Sequence, residues 1–234
     1  MEILPVGLGE RLVPYHEAWD LQRRLHASRV ADEASDAVVL VEHEDVYTAG
    51  KRTATWDRPT DGTPVVDVDR GGRITWHGPG QLVGYPIVRL AEPVDVVRYV
   101  RQLEQAVMDL CASYGLETMR VADRSGVWLP ATATRRERKI CAIGVRVAKG
   151  VTMHGFALNC NPALDRFDAI VPCGISDADV TSLSRELGRD VSIAEVVAPL
   201  TTFLEDALAP VRWETQERTP APDSFVPDPH KELA

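Results

Sequence analysis

Cysteine is the most nucleophilic side chain in this 234-residue chain, and it occurs four times in unlike surroundings. Cys111 falls within an amphipathic helical pattern and Cys141 within an apolar strand pattern. Most cysteines are small core residues, so we predict that these two pack in the interior. Cys160 follows a predicted strand, and its pattern does not decide between a core role and a site role.

Cys173 lies in the sequence VPCGIS, which has the composition of a built loop. Gly174 leaves the sulfur uncrowded, and Ser176 with Asp179 resembles a capping box that would start a helix directly afterwards. The positive end of a helix lowers the pKa of a nearby thiol. The pattern therefore favours Cys173 as a nucleophile.

Lys139 opens an otherwise apolar strand pattern after the basic run RRERK. Such a run is usually a solvated face, but the stem of Lys139 is predicted to be buried with its ammonium held in place. A cation beside a thiol stabilises the thiolate. Because a free cysteine has a pKa of about 8.5, this stabilisation matters at neutral pH.

The densest cluster of glycine and polar residues is RGGRITWHGPGQ, residues 70–81. Glycine lets a backbone approach a ligand closely, whereas it weakens an ordinary strand. The alternative is a β-hairpin connection with a bulge. Arg70, Thr75, His77 and Gln81 favour a binding segment, because a turn needs no such polar groups.

His154 is followed by glycine on a predicted strand, and a buried structural role is as consistent with this pattern as a site role. His77 and His154 lack a third ligand at suitable spacing, so the sequence predicts no metal site.

The composition is that of a globular chain, 44% hydrophobic and 26% charged. The cysteines form no C-x-x-C pair, which argues against a zinc knuckle or a disulfide framework and fits a reducing cytoplasm. A net charge of -9 argues against nucleic-acid binding. No signal peptide or membrane span is expected, so we predict a cytoplasmic location.

Periodicity predicts helices at 15–30 and 96–114, and capped helices after Ser176 and Ser192. Strands are predicted at 37–41, 65–68, 82–88, 139–147 and 151–159. Strands in runs, rather than strict alternation with helices, favour an α+β fold. From residue 214 onward prolines and charges break the periodicity, which indicates a tail.

Four segments together resemble the octanoyltransferases of lipoate biosynthesis, members of the wider biotin/lipoate ligase-like fold. They are RGGRITWHGPGQ (70–81), RKICAIG (138–144), HGFALN (154–159) and VPCGI (171–175) followed by TSL (181–183). The resemblance covers about residues 10–205. It implies a single α+β catalytic domain at 1–213, with a central mixed β-sheet flanked by helices, followed by the tail at 214–234.

The resemblance also implies a site. Cys173 would be the nucleophile and Lys139 its catalytic partner, with Gln81 and His154 as secondary candidates. The acyl group would be held by Arg70, Gly71, Gly72, Arg73, Ile74, Thr75, Trp76, His77, Ala142, Ile143, Gly144, Gly155, Phe156 and Ala157.

The implied activity is transfer of an octanoyl group from octanoyl-acyl carrier protein to a lipoyl-domain lysine, through an acyl-Cys173 thioester. The acceptors would be the lipoyl domains of 2-oxoacid dehydrogenase E2 subunits and the glycine cleavage H protein. No cofactor is expected, and the enzyme would be a monomer. The alternatives are an ATP-dependent lipoate or biotin ligase of the same fold and a noncatalytic binding module.

Carrier proteins are typically acidic, and so is this chain. Five arginines lie in the candidate site segments, and we expect them to provide local positive charge: Arg70, Arg73, Arg135, Arg136 and Arg138.

Overall fold

A mixed β-sheet crosses the centre of the molecule. The structure is a computed structural model that describes residues 1–59, 62–170 and 178–213. The strands are β1 Glu2–Val6, β2 Ala37–Val41, β3 Val46–Ala49, β4 Val65–Asp67, β5 Ile74–His77, β6 Gln81–Ile87, β7 Met119–Val121, β8 Arg124–Leu129, β9 Arg138–Ala148, β10 Val151–Asn159 and β11 Asp179–Val180. The helices are α1 Tyr15–Val30, α2 Val96–Ser113, α3 Leu183–Leu187 and α4 Ile193–Leu208.

Within the described residues, the large sheet has the order β1-β2-β6-β10-β9-β8-β7, and β11 pairs with β9. The β1–β2 and β11–β9 pairs are parallel and the others antiparallel. A smaller sheet has the order β4-β3-β5. This is the predicted α+β architecture, a single domain whose central mixed sheet is flanked by helices.

Strand β2 shows why the sheet is covered on both faces. All five of its residues are buried, which matches its uninterrupted apolar sequence AVVLV. Val39 and Val41 join the core beneath α1, whereas Val38 and Leu40 join the core beneath α2 and α4. The alternation of strand side chains thus places α1 on one face and α2 with α4 on the other.

Most predicted elements are confirmed with small shifts of their ends, including α1, β2, α2 and the paired strands β9 and β10. Ser192 caps α4 by accepting a hydrogen bond from the Glu195 N–H, as predicted. Six strands were not predicted: β1, β3, β5, β7, β8 and β11. Most of them are short, so they carry little periodic signal.

The helix predicted after Ser176 is wrong. Ser176 lies outside the described residues, but Asp179, its expected capping partner, is in strand β11. The next helix begins only at Leu183 and is capped by Ser182, whose hydroxyl accepts from the Arg185 N–H. Pairing with β9 gives the Asp179 N–H a hydrogen-bond acceptor, the Glu137 carbonyl, so this backbone group does not need a helix to be satisfied.

The hairpin alternative for residues 70–81 is also wrong. Strand β5 pairs with β3 in the small sheet, whereas β6 pairs with β2 and β10 in the large one. Residues 78–80 therefore carry the chain from one sheet to the other. The predicted tail at 214–234 lies outside the described residues. Among the residues that the structure describes, no helix is long and apolar enough to cross a membrane.

Glu104 of α2 ties this helix to the edge of the large sheet. Its carboxylate is fully buried and accepts hydrogen bonds from Arg101, from Arg120 and from the backbone N–H of Gly126. The two arginines balance its charge, and the Gly126 bond fixes the backbone of β8. Removing this carboxylate leaves the buried Gly126 N–H without an acceptor, which costs more than removing an exposed carboxylate, although Arg101 and Arg120 are partly exposed.

We expect Glu104→Ala to lower the free energy of unfolding by about 1–3 kcal/mol, the usual cost of leaving a buried donor, here the Gly126 N–H, without its acceptor. The matched control is Asp20→Ala, which removes an exposed pair with Arg23 at the same i,i+3 spacing and should cost about 0–1 kcal/mol. Urea denaturation of both variants measures the difference. Similar losses in the two variants would show that Glu104 does not anchor the helix.

Candidate active site

A cavity of about 380 Å³ opens beside the first turn of α1. This volume lies within the usual range for small-molecule sites, roughly 300–1,000 Å³. Thirteen of the predicted site residues line it: Arg70, Gly72, Arg73, Thr75, His77, Lys139, Ala142, Ile143, Gly144, His154, Gly155, Phe156 and Ala157. The fold thus brings together segments that are up to 87 positions apart in the sequence.

Strand β5 contributes only alternate residues to the cavity. Thr75 and His77 line it, whereas Ile74 and Trp76 lie in a separate core with Tyr47. Successive side chains of a strand point to opposite faces, so a continuous segment cannot face one ligand. The placement of Ile74 and Trp76 among the acyl-binding residues is therefore corrected, and both are core residues.

Arg70 uses its guanidinium to hold the protein's own backbone. It donates to the Thr48 carbonyl (2.7 Å) and hydroxyl (2.9 Å), to the Arg73 carbonyl (2.9 Å) and to the Gly71 carbonyl (3.0 Å). Gly71 does not line the cavity, and its N–H donates to the Val145 carbonyl. These bonds attach the 70–73 loop to β3 and β9, so Arg70 shapes the cavity wall.

His77 is oriented by a chain of hydrogen bonds that ends on a backbone carbonyl. The Thr181 carbonyl can only accept, so it receives the Asn159 amide N–H, and the Asn159 oxygen receives the Gln81 amide N–H. The Gln81 oxygen then accepts from Nδ1 of His77 at 2.8 Å. His77 Nε2 is left as an acceptor, 3.3 Å from the Thr48 hydroxyl. Gln81 does not line the cavity; it acts by fixing the tautomer of His77.

A second chain of hydrogen bonds ends on Tyr85 at the cavity wall, where Tyr15 also lies. The Val13 carbonyl accepts from Nδ1 of His43 (2.8 Å), so Nε2 accepts from the Tyr85 hydroxyl (2.8 Å). Tyr15 stacks on His77 with the ring planes 10° apart. Burial lowers the pKa of His43 to about 4 and that of His77 well below its usual value. Both imidazoles are therefore neutral near pH 7.

His154 has an unusual backbone for a strand residue, with φ of +56°. Its N–H donates to the Gln22 side chain, and its Nε2 lies 2.7 Å from an Asp69 oxygen. Burial lowers the pKa of His154, although Asp69 acts in the opposite direction. His154 thus lines the cavity and is also held in place by hydrogen bonds to Gln22 and Asp69. Among the described residues, no three His, Cys, Asp or Glu side chains are grouped to hold a metal ion.

Lys139 places its ammonium at the cavity wall, as the buried stem predicted. The residue is only 8% exposed, and Nζ donates to the Ser125 carbonyl at 3.1 Å and lies 4.5 Å from the centre of the Trp128 ring. The ring face attracts a cation. Ser125 precedes Gly126, whose N–H is held by the buried carboxylate of Glu104. Helix α2 thereby fixes the carbonyl that positions the ammonium.

Three of the four cysteines are buried core residues, which confirms the prediction for Cys111 and Cys141 and decides it for Cys160. Burial raises the pKa of Cys111 and of Cys160 to about 12, and that of Cys141 well above 9. None of these three is suited to form a thiolate near neutral pH. Cys173, the predicted nucleophile, lies outside the described residues.

Two of the arginines expected to supply positive charge share a single carboxylate, so one of their two charges is balanced. Arg135 and Arg138 both bind the carboxylate of Glu186 with two hydrogen bonds each. Burial would raise the pKa of Glu186, but bonds from Arg138, Thr181 and Arg135 lower it to about 2. Of the three arginines in the 135–138 run, only Arg136 is exposed.

Arg73 is paired in the same way, with the buried carboxylate of Asp57. The charge of Arg73 is therefore balanced by Asp57, whereas Arg135 and Arg138 together keep one positive charge beside Glu186.

Seven further residues line the cavity that sequence patterns did not indicate: Tyr15, Arg52, Val83, Tyr85, Asp123, Arg124 and Ser125. Val83 and Tyr85 share one face of β6, so the alternation of that strand was the available signal. Nothing local marks Tyr15 or Arg52, because only the tertiary fold brings their segments to the cavity.

Residues 14–205 match the family model described as the lipoyl protein ligase A/B catalytic domain. This region is most of the chain and includes every described cavity residue. The chain belongs to this family.

Curated relatives that share about 62% sequence identity with this chain are named octanoyltransferases. The relative from Thermobifida fusca is 62% identical over 229 residues, which cover 96% of this chain and 97% of the relative. The relative from Salinispora tropica is 62% identical over 196 residues, covering 84% of this chain and 92% of the relative. The resemblance to the octanoyltransferase family is thereby confirmed.

Solved structures confirm the fold. The bipartite lipoate protein ligase from Thermoplasma acidophilum superposes with a TM-score of 0.63 at 17% identity, covering 88% of this chain and 83% of that chain. The biotin protein ligase from Aquifex aeolicus, in complex with biotin and ATP, gives a TM-score of 0.55 at 16% identity, with coverages of 88% and 70%. The predicted biotin/lipoate ligase-like fold is thus correct.

Gly126 of β8 lies so close to β9 that a larger residue at this position would clash with it. Gly126 has φ of +122°, and an added Cβ would lie 2.4 Å from the Cys141 carbonyl oxygen and 3.4 Å from Cε of Lys139. We expect Gly126→Ala to lower the free energy of unfolding by about 1–3 kcal/mol through overpacking, beyond the strain of its positive φ. The matched control is Gly115→Ala, which also has a positive φ (+77°) but nothing within 4 Å of its Cβ.

Chemical denaturation compares the two alanine variants directly. Equal losses would mean that β8 and β9 move apart to admit the methyl group without cost.

Proposed function

We propose that this protein transfers an octanoyl group from octanoyl-acyl carrier protein to the lysine of a lipoyl domain, through a thioester on Cys173. The observation that carries the proposal is the Lys139 ammonium, held at the wall of a cavity that also has an apolar lining. Val83, Ala142, Ile143, Phe156 and Ala157 supply that lining. An aliphatic acyl chain would be desolvated there, with its reactive carbonyl near the amino group.

The assignment of Cys173 is supported from two directions. The other three cysteines are buried and have raised pKa values, which leaves Cys173 as the candidate thiolate. In addition, the chain shortly after Cys173 forms β11, whose Val180 pairs with Lys139, and the Thr181 N–H donates to the Lys139 carbonyl. The names of the relatives, octanoyltransferases, support the reaction class.

The first half-reaction is a thioester exchange. Cys173 reacts as a thiolate stabilised by the adjacent Lys139 ammonium, and the thiolate attacks the carbonyl carbon of the donor thioester. The new carbon–sulfur bond forms as the bond to the pantetheine sulfur breaks, and that sulfur leaves with the proton from Lys139. One thioester replaces another, so the step needs no input of energy.

The second half-reaction forms an amide. The lipoyl-domain lysine attacks the acyl-Cys173 carbonyl, a carbon–nitrogen bond forms, and Cys173 leaves as a thiolate. The attacking amine must be neutral, although its pKa in water is about 10.4. Lys139, neutral after the first product has left with its proton, takes the proton that the amine loses. The amide is more stable than the thioester, which drives transfer without ATP.

The acceptors would be lipoyl domains of 2-oxoacid dehydrogenase E2 subunits and the glycine cleavage H protein, and the enzyme would act as a cytoplasmic monomer. Three buried, unpaired cysteines are compatible with a reducing compartment. Arg70, Gly72, Thr75, His77, Gly144 and Gly155 are proposed to surround the acyl group and its carbonyl.

The acyl-enzyme is the first prediction from this mechanism. Incubation with octanoyl-acyl carrier protein, without ATP, should add one octanoyl group to the intact protein, and peptide mapping should locate it on Cys173. Cys173→Ala should lose the adduct, whereas the control Cys160→Ala should keep it. An adduct elsewhere, or robust ligation of free octanoate that depends on ATP, would contradict the proposal and favour a ligase.

The role of Lys139 is tested by separating the half-reactions. Lys139→Met keeps an apolar stem without the amine, so overall transfer should fall by roughly 10²–10⁴-fold, the usual contribution of a general acid–base group. Lys139→Arg keeps the cation but remains protonated, so it should still form acyl-enzyme while failing at transfer to the lipoyl domain.

Single-turnover assays of each half-reaction give these rates. The matched control is Lys149→Met, at an exposed lysine in the β9–β10 turn, which should behave as the unmodified enzyme. Near-normal transfer by Lys139→Met would remove Lys139 from the mechanism.

A further inference from the structure

Trp56 is the most exposed large apolar side chain in the described part of the molecule, at 81% of its surface. It lies in a single turn of 3₁₀ helix, Thr55–Asp57. Tryptophan contributes a large area on burial and is enriched among residues that dominate protein–protein binding. A solvent-exposed tryptophan is therefore a candidate for contact with another molecule, provided that neighbouring features support it.

The turn that carries Trp56 is fixed to the cavity wall. Asp57, the next residue, is 1% exposed and accepts hydrogen bonds from the Ala54 N–H (2.8 Å) and from Nε and Nη2 of Arg73 (2.9 and 2.6 Å). Arg73 itself lines the cavity. Trp56 is thus presented to solvent by a turn anchored beside the cavity, so little conformational entropy would be lost when it binds.

Two cations precede Trp56 on the same segment. Lys51 and Arg52 are exposed, and neither side chain has a hydrogen-bond or ion-pair partner among the described residues. Arg52 also lines the cavity. Elsewhere on the rim, Asp123 and Arg124 contribute one charge of each sign. In a chain with a net charge of -9, this segment is a local positive surface, which attracts an acidic partner.

We propose that Lys51, Arg52 and Trp56, here called the Trp56 patch, form the docking surface for the acyl carrier protein that donates the acyl group. This inference rests on the proposed function. Trp56 would be buried against the apolar surface of the carrier, and the two cations would pair with its acidic side chains and with the phosphodiester of its pantetheine arm. Arg52 then lies where the arm enters the cavity.

The charge of the patch distinguishes the donor from the acceptor. The donor brings an anionic phosphodiester to the cavity mouth, which the two cations attract. The acceptor instead brings a lysine side chain and no phosphodiester, so it offers these two cations no such anion. Loss of the patch should therefore impair acylation more than transfer to the lipoyl domain.

The test compares two donors of the same octanoyl group. Acylation of Cys173 is measured with octanoyl-acyl carrier protein and with octanoyl-pantetheine, a small thioester that has neither the carrier nor the phosphate. For Trp56→Ala we expect kcat/KM with the carrier substrate to fall by about 10–30-fold, the usual effect of truncating a dominant interface tryptophan. The rate with octanoyl-pantetheine should not change.

A charge reversal tests the electrostatic half of the proposal. Lys51→Glu should lower kcat/KM with the carrier substrate by about 10-fold at low salt, and the effect should shrink as salt is added. The matched controls are Trp213→Ala, next to Arg29 at the far end of α1, and Lys149→Glu. Neither control should alter acylation by either donor.

Three outcomes would overturn the docking surface. Equal losses with both donors would make Trp56 a structural residue of the cavity wall. Unchanged acylation combined with slower transfer to the lipoyl domain would assign the patch to the acceptor. Unchanged rates in all reactions would show that no partner docks there. If the unmodified enzyme is acylated by neither donor, the proposed function itself fails, and the small thioester distinguishes that failure from a loss of docking.

Discussion

Strand β9 changes its pairing partners along its length, and the candidate site depends on that change. From Cys141 onward it pairs with β10, whereas at Arg138 and Lys139 it lies between β8 and β11. Lys139 is therefore held where three strands meet, with its ammonium bound to a carbonyl of β8. Both neighbours of β9 at this point are short segments, so their positions depend on contacts made outside the sheet.

Those contacts are buried polar ones. Glu104 of helix α2 accepts a hydrogen bond from the backbone of β8. Near the start of β9, Glu186 accepts hydrogen bonds from Arg135, Arg138 and Thr181. A buried charge that is fully hydrogen-bonded specifies geometry, because any displacement leaves an unpaired charge in a medium of low polarity. The same principle applies around His77, where each hydrogen bond follows from a backbone carbonyl that can only accept. The cavity is thus rigid on its polar side and apolar where an acyl chain would lie.

The internal pairing also separates structural charge from charge that can meet a partner. Arg73 and Arg138 come from the motifs that carry the family resemblance, and Arg135 lies just before one of them, yet each is paired with a carboxylate of the protein itself. Lys51 and Arg52 come from a segment with no recognised motif, and they are exposed. Counting basic residues near a motif therefore does not measure the charge that a partner encounters; the pairing of each side chain must be known.

The sequence by itself determined the fold class, the main helices, the burial of Cys111 and Cys141, and the segments that would meet at the site. These depend on local periodicity and on residue types whose chemistry does not change with context. Tertiary structure alone decided which residues of 70–77 face the cavity, because strand alternation matters only once β5 is paired with β3. It decided that Tyr15, His43 and Tyr85 support the site, since they come from distant segments. Tertiary structure also overrode the helix-capping pattern of Ser176 and Asp179. Asp179 pairs with Arg138 instead, so its backbone is hydrogen-bonded within the sheet.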